Sequence, residues 1–201
     1  MQGVPPEEVI ESVKSADLRG RGGAYFPAAI KWEGARQFPQ PRHLIVNAEE
    51  GEPGAFKDRH ILEGDPHRPL EGALIAAYTV GVERVFFYIN GQARKSADRL
   101  QVAINQARDI GLLGDNILGT DISIEVEVRM GAGGYVCGEE SVIMESIEGE
   151  RAMPRLKPPF PTESGLWKQP TVINNVETLF SVDRIDLEPS RTVWTLSSQD
   201  F

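Results

Sequence analysis

Strand-like and helix-like segments alternate along this chain, and the alternation strongly limits the folds that it can adopt. Strands are predicted at three runs rich in apolar residues, His43–Asn47, Arg84–Asn90 and Ile122–Met130. Helices are predicted where apolar residues recur at helical spacing, at Pro66–Gly81, Ala93–Ile110 and Glu139–Ile147. The order β, α, β, α, β, α favours a parallel sheet. We therefore predict an α/β fold, a Rossmann-like parallel sheet with helices on both faces, in a single domain.

The ends of the chain and its shorter segments complete the predicted organisation. Acidic residues after Pro5 and Pro6 indicate a short first helix, and Pro27–Trp32 and Asn174–Val182 are predicted as further short helices. Prolines make residues 149–170 a long loop. We expect an N-terminal helix over residues 1–17, the main domain over 18–182, and a polar C-terminal tail over 183–201 whose Val193, Trp194 and Leu196 suit a docking arm.

Composition excludes several classes of protein. The 201 residues include 21 Lys and Arg against 30 Asp and Glu, a net charge of −9, which gives no broad attraction to nucleic acid. A single cysteine, Cys137, cannot by itself form a four-cysteine zinc or iron–sulfur site, and the three histidines show no ligand spacing, so no metal site is expected. The N-terminus has no signal-peptide pattern, and Ala73–Val82 is too short to span a bilayer. These features predict a cytoplasmic chain, free or peripheral on a membrane complex, without direct membrane insertion.

A glycine-rich loop with two arginines precedes the second predicted helix. Gly20, Gly22 and Gly23 alternate with Arg19 and Arg21, and Lys31 follows shortly after. Free backbone N–H groups and nearby cations can bind a phosphate. The loop matches neither a Walker A motif nor the dinucleotide fingerprint. From the residues alone, an anion site and a tight turn required for packing are equally good interpretations.

Two further loops follow predicted strands and so belong at the carboxyl edge of the sheet, where ligands bind in open α/β folds. Glu49, Glu50 and Glu52 form either a solvated surface loop or a set of acceptors for a donor-rich ligand, such as a ribityl chain or a ribose. In the loop Gly131–Glu140, glycines allow close approach of a ligand, and Cys137 is more often a buried apolar residue than a redox thiol. The pair Asn174-Asn175 caps a helix or binds a ligand; a cap explains only one of them.

Taken together, six motifs in a fixed order resemble one family. They are Leu18–Pro27, Ile30–Trp32, Asn47–Arg59, Gly131–Glu140, Pro154–Pro161 and Val172–Leu179. The set resembles the flavin-carrying, NADH-oxidising subunit of respiratory complex I, a module also found in NAD-reducing hydrogenases and NAD-dependent formate dehydrogenases. The resemblance covers roughly residues 8–182, and its specificity comes from the six motifs together.

The resemblance implies an FMN-binding domain and a role for each matching position. The FMN phosphate and ribityl side would be held by Gly20, Arg21, Gly22 and Lys31, and completed by Asn174, Asn175 and Thr178. The ribityl chain and flavin would be bound by Asn47, Glu49 and Glu50, and the isoalloxazine would be lined by Tyr135, Gly138, Glu139 and Glu140. The adenine of NAD would stack on Phe26 and Phe160, and its polar parts would contact Glu52, Glu140 and Lys157. Glu140, near the nicotinamide, would be the catalytic residue.

The implied function is hydride transfer from NADH to FMN, followed by electron transfer to iron–sulfur clusters on a partner chain. No cluster would belong to this chain, and self-association is a second way to cover its surface. The sequence departs from the family at three positions: Glu49 replaces Asp, Tyr25 replaces Gly, and Gly34 replaces an aromatic residue of the adenine clamp. The ubiquitin-like and cluster-bearing helical domains of the family are not in this sequence. These differences motivate the alternative of a regulatory FMN-domain subunit that no longer oxidises NADH.

Overall fold

A computed structural model describes residues 4–185 of the chain. Eight α-helices and four strands were found in this part. The strands are β1 His43–Ala48, β2 Arg84–Ile89, β3 Glu125–Met130 and β4 Thr171–Asn175. The helices are α1 Pro6–Ser15, α2 Ala28–Arg36, α3 Lys57–Gly64, α4 His67–Val80, α5 Arg94–Asp109, α6 Glu140–Glu148, α7 Pro161–Ser164 and α8 Val176–Phe180. Short 3₁₀ turns include Tyr135–Gly138 and Leu166–Lys168.

The four strands form one parallel sheet in the order β3-β2-β1-β4. His43 at the start of β1 pairs with Arg84 of β2 and with Thr171 of β4, so all carboxyl ends meet at one edge. Parallel strands need long crossover connections, and the helices between the strands supply them. The predicted α/β fold with a Rossmann-like parallel sheet is confirmed.

Apolar side chains cover both faces of the sheet because successive residues of a strand point to opposite sides. Leu44 and Val46 of β1 join a large core with residues of α1 to α5 and α8, including the fully buried Trp32. Ile45 faces the other way and packs in a smaller core with Ile143 and residues of α6. The prediction of helices on both faces is therefore confirmed.

Several elements differ from the sequence prediction, and the loop predicted over residues 149–170 contains the short helix α7, which begins at Pro161, a favourable first residue of a helix. A helix was predicted over Asn174–Val182, but Asn174 and Asn175 end strand β4, and α8 begins only at Val176. The prediction is wrong because β4 carries only Val172 and Ile173 as apolar residues, and its strand conformation depends on pairing with β1. Helix α3 was not predicted, since it follows a Gly- and Pro-rich loop and buries little more than Leu62.

The N-terminal helix can be compared with its prediction, whereas the C-terminal tail cannot. Val9 and Val13 of α1 lie in the same core as the sheet residues. In the tail, Val193, Trp194 and Leu196 lie outside the described residues, so the docking arm and the division into three segments stay predictions. Within residues 4–185, no helix is both long and apolar enough to cross a membrane.

Candidate functional site

The loops after β1 and β3 meet at the carboxyl edge of the sheet. The Asn47 side-chain amide donates to the Gly138 carbonyl at 2.9 Å, and the backbone N–H of Glu49 donates to the Asn47 side-chain oxygen at 3.1 Å. A Cβ built on Gly51 would lie 3.5 Å from Cα of Tyr135. The structure thus brings the acidic loop and the third glycine-rich loop together, as the sequence indicated for loops that follow parallel strands.

The first glycine-rich loop reaches the same edge from the other side. The Gly20 N–H donates to the Phe26 carbonyl at 2.9 Å, which folds the loop back on itself. The Arg21 N–H donates to the Thr178 hydroxyl at 2.9 Å, and a Cβ on Gly22 would lie 3.3 Å from Cβ of Asn175. The loop is therefore fixed against the start of α8, with the Arg21 side chain exposed.

Asn175 connects three elements at this edge of the sheet. Its side-chain oxygen accepts the N–H of Glu177 at 3.0 Å and so caps α8. Its amide donates to the Asn47 carbonyl at 3.2 Å and to the Asp58 carboxylate at 2.8 Å. One side chain thus connects β1, α3 and α8.

Asn174 and Lys31 are both held at the junction of β4 and α2. The buried Asn174 side-chain oxygen accepts the indole N–H of Trp32 at 2.9 Å. The Lys31 ammonium donates to the Ile173 carbonyl at 2.9 Å. Burial lowers the pKa of Lys31, and the nearby charge of Glu140 opposes the shift. Lys31 is therefore placed beside the N-terminus of α6, and its hydrogen bond is to strand β4.

Lys57 and Asp58 are site residues to which sequence reasoning assigned no role. Asp58 is 4% exposed, and its carboxylate pairs with the Lys57 ammonium. Lys57 also lies 3.0 Å from the Asn175 side-chain oxygen and 3.0 Å from Glu177. Burial raises the pKa of Asp58, although the Lys57 charge opposes the shift. Their place inside the Asn47–Arg59 motif was the signal available in the sequence.

The adjacent residues Glu49 and Glu50 have opposite surroundings. The Glu50 carboxylate accepts the N–H groups of Asp58 and Arg59 at 3.0 and 3.3 Å and so stabilises the start of α3. The Glu49 side chain is 4% exposed, and neither of its oxygens has a hydrogen-bond partner among residues 4–185. Burial raises the pKa of Glu49 to about 7. A Cβ built on Gly131 would lie 2.1 Å from Glu49 Oε2, so only glycine leaves room for this carboxyl group.

Glu139 and Glu140 perform different tasks at the start of α6. The Glu139 carboxylate accepts the N–H groups of Ser141 and Val142 at 2.8 and 3.1 Å and is the cap of the helix. Burial alone would raise the pKa of Glu139, but these hydrogen bonds and Lys157 lower it below its ordinary value. Lys157 lies 3.2 Å from Glu139 and forms an ion pair with Glu140. Because Glu139 is the cap, Glu140 is free of that role.

Aromatic side chains surround the edge. Phe26 and Phe160, which the resemblance assigns to adenine, are both about half exposed. A hydrogen bond to Glu52 raises the pKa of the exposed Tyr135. Tyr25 has a φ of 54°, a left-handed conformation that a glycine adopts more readily, and the Arg19 guanidinium lies 5.7 Å from its ring centroid.

The chemistry of the edge is that of an organic anion site. In the described part of the chain, no three His, Cys, Asp or Glu side chains are grouped to hold a metal ion, and Cys137 is a buried free thiol. The edge offers loops with backbone N–H groups, the cations Arg21, Lys31 and Lys157, and the buried Glu49 carboxyl group, which has no hydrogen-bond partner among residues 4–185. Such a site suits a ligand with a phosphate at one end and N–H or hydroxyl donors at the other.

A parallel α/β sheet with loops gathered at its carboxyl edge defines a ligand-binding class of domain, and comparison with known proteins identifies the family. The chain belongs to the family described as the Nuo51 FMN-binding domain, whose model matches residues 13–184. The resemblance inferred from the six motifs is thereby confirmed.

The relatives are components of large redox enzymes. The chain is 51% identical over 177 residues to an NADH-quinone oxidoreductase subunit of Aquifex aeolicus, covering 88% of this chain and 42% of that protein. It is 45% identical over 181 residues to the NADP-reducing hydrogenase subunit HndC of Solidesulfovibrio fructosivorans, covering 90% of this chain and 37% of that protein. A crystal structure of an NAD⁺-reducing [NiFe]-hydrogenase in the H₂-reduced state superimposes with a TM-score of 0.82 at 40% identity, over 90% of this chain and 30% of that one. The chain thus spans less than half the length of these relatives.

Proposed function

We propose that this domain binds FMN at the carboxyl edge of its sheet, accepts hydride from NADH there, and delivers electrons to iron–sulfur clusters on a partner chain. The family membership and the relatives, an NADH-quinone oxidoreductase subunit and a hydrogenase subunit, support the proposal. FMN, when bound, supplies the exchange between a two-electron hydride and single electrons. The protein supplies binding, orientation and the local charge.

The observation that carries the proposal is the Glu49 carboxyl group. It is buried without a partner in the described part of the chain, and Gly131 provides the space beside it. A buried polar group without a hydrogen bond is costly and calls for a ligand that completes it. The flavin ring and the ribityl chain carry the N–H and hydroxyl donors that a carboxyl group accepts. Glu49, with Asn47 at the same strand end, therefore fits the donor-rich part of FMN.

The phosphate end of FMN fits the loop around Gly20 and Gly22. This loop is fixed against Thr178, and Arg21 brings a cation to it in a chain that is acidic overall. Asn175 connects β1, α3 and α8 by hydrogen bonds, and Gly22 of the loop lies close to its side chain, which supports a phosphate-side position. Lys31 donates a hydrogen bond to the Ile173 carbonyl and lies toward the α6 end of the site, so its positive charge would act on the phosphate from a distance.

The nicotinamide dinucleotide fits the surface around the start of α6, where Lys157 pairs with Glu140. Phe26 and Phe160 provide half-exposed rings for the adenine, and Glu52 and Lys157 provide polar contacts. Glu140 is held by Lys157 and has no capping role, so its charge is available to the cofactors. A carboxylate beside reduced flavin disfavours negative charge on the ring and keeps its potential low, near that of the nicotinamide couple.

Reconstitution tests the proposal. The purified chain is incubated with FMN, separated from free flavin, and mixed with NADH under anaerobic conditions. We expect a yellow protein that NADH bleaches and that ferricyanide reoxidises. Failure to retain FMN would overturn the proposal, and retention without bleaching would favour the regulatory alternative.

Variants make the same experiment specific to the site. Arg21→Ala combined with Lys31→Ala should weaken FMN retention, because the cation of the phosphate loop is lost together with the charge that Lys31 contributes at a distance. Arg94→Ala combined with Arg99→Ala, which removes two exposed cations from α5, is the matched control for the loss of two positive charges. Equal retention by all three proteins would contradict the phosphate placement.

A further inference from the structure

The position of Glu49 has a consequence for how flavin binds. Its carboxyl group lies just after β1 and close to Gly131, because a Cβ built on Gly131 would lie 2.1 Å from a carboxyl oxygen and 2.8 Å from the ring of Tyr88. The carboxyl group is thus enclosed by protein on the side of the sheet and lacks a hydrogen-bond partner in the described part of the chain.

No neighbouring group among the described residues supplies a compensating positive charge. From β1, the Asn47 side chain is used by Gly138 and by the Glu49 backbone. From β2, the Tyr88 hydroxyl donates to Ser146 of α6 at 2.9 Å, and the 3₁₀ turn brings the Cys137 thiol near the same hydroxyl. Burial accordingly raises the pKa of Glu49 to about 7, with no cation among residues 4–185 opposing it.

We propose that Glu49 releases a proton to solvent when flavin occupies the site, so that flavin binding and proton release are coupled. The inference rests on the proposed function, since it requires the flavin to contact Glu49. The carboxyl O–H bond breaks, the oxygen keeps the electron pair, and the proton passes to the buffer. No electron transfer is involved.

The physical reason is the change in hydrogen bonding at the carboxyl group. An ionised carboxylate only accepts hydrogen bonds, and donors of the flavin would stabilise that form. The pKa of Glu49 is therefore lower in the complex than in the free protein. A group whose pKa falls on binding makes affinity rise with pH up to the pKa of the free protein and level off above it.

The expected measurement is the FMN dissociation constant as a function of pH. For one released proton, the constant should fall about tenfold per pH unit below pH 7 and become flat above it. The FMN phosphate also titrates, near about pH 6 in a monoester, so the comparison is made between proteins with the same ligand. Glu49→Gln keeps the size of the side chain and cannot ionise, so its curve reports the phosphate alone.

Calorimetry in two buffers of different ionisation heat counts the protons directly. At pH 6 the wild type should release close to one proton more than Glu49→Gln, and Glu71→Gln, an exposed change on α4, should match the wild type. Glu49→Asp keeps a carboxyl group and should keep the release with a shifted midpoint, which preserves the test if the glutamine variant fails to fold. Equal proton release by wild type and Glu49→Gln would overturn the inference while leaving FMN binding intact. Absence of FMN binding by the wild type at every pH would instead overturn the proposed function.

Discussion

The close approach of Gly131 to Glu49 allows a sharp test of the site. In Gly131→Ala the new methyl carbon would lie 2.1 Å from Glu49 Oε2 and 2.8 and 2.9 Å from two ring carbons of Tyr88. The carboxyl group is at the end of a flexible side chain and can move, but the Tyr88 ring is buried and its hydroxyl is bonded to Ser146. Overpacking of this kind costs about 1–3 kcal/mol.

Thermal melting of the apo-protein measures that cost. A domain of this size loses about 2–4 °C of Tm for each kcal/mol, so Gly131→Ala should melt about 2–12 °C below the wild type. Fluorescence titration should also show weaker FMN binding, because the moved carboxyl group leaves the proposed donor contacts.

Gly34→Ala is the matched control for this change. A Cβ at Gly34 meets no described residue within 4 Å, and alanine favours the interior of α2 by up to about 1 kcal/mol. Its Tm should rise or stay the same, with FMN affinity unchanged. A Gly131→Ala protein that melted and bound FMN like this control would refute the close packing of Glu49, Gly131 and Tyr88.

Three further changes separate the roles of the site residues. Glu140→Gln should raise the FMN midpoint potential with little change in Tm, because the ion pair of Glu140 with Lys157 is partly exposed and worth at most about 1 kcal/mol. An unaltered midpoint potential in spectroelectrochemical titration would exclude a tuning role for Glu140. Gly34→Phe adds a ring where the α2 surface is open and should lower the KM for NADH with FMN affinity unchanged; a KM equal to wild type would place Gly34 outside the nicotinamide dinucleotide site. Asp58→Asn removes a buried charge that receives a hydrogen bond from Asn175. This change should lower the unfolding free energy by about 1–3 kcal/mol and weaken FMN binding. Full stability in urea unfolding would argue against the Asp58 contacts.

The parts of the fold that local sequence determines were predictable. Strand β2 was evident because aromatic and β-branched residues fill Arg84–Ile89, and the sheet edge at Glu49 and Gly131 followed from the parallel order. Strand β4 was not evident, because its conformation is fixed by pairing with β1 and its own apolar run is two residues long.

Within the site, sequence reasoning could select the loops but could not distinguish neighbours. Glu49 and Glu50 are identical side chains in adjacent positions, yet among the described residues one is buried without a partner and the other stabilises α3. That difference depends on where α3 begins, and α3 itself was not predicted. The same is true of Asn174 and Asn175. Asn174 accepts a hydrogen bond from Trp32 and Asn175 caps α8. These two roles can be told apart only when the end of β4 and the start of α8 are known.

The contact between Arg21 and Thr178 also determines how much of the chain must be synthesised before the pocket can form. The two residues are 157 positions apart, and Asn47 is 91 positions from Gly138, so the pocket depends on contacts of high sequence separation. Such contacts require a long loop to close before they can stabilise the fold. A nascent chain emerging from the ribosome can pair β1 with β2 well before Thr178 has been synthesised. The proposed loading of FMN therefore has to follow translation of nearly the whole described domain, because the Arg21–Thr178 contact cannot form earlier.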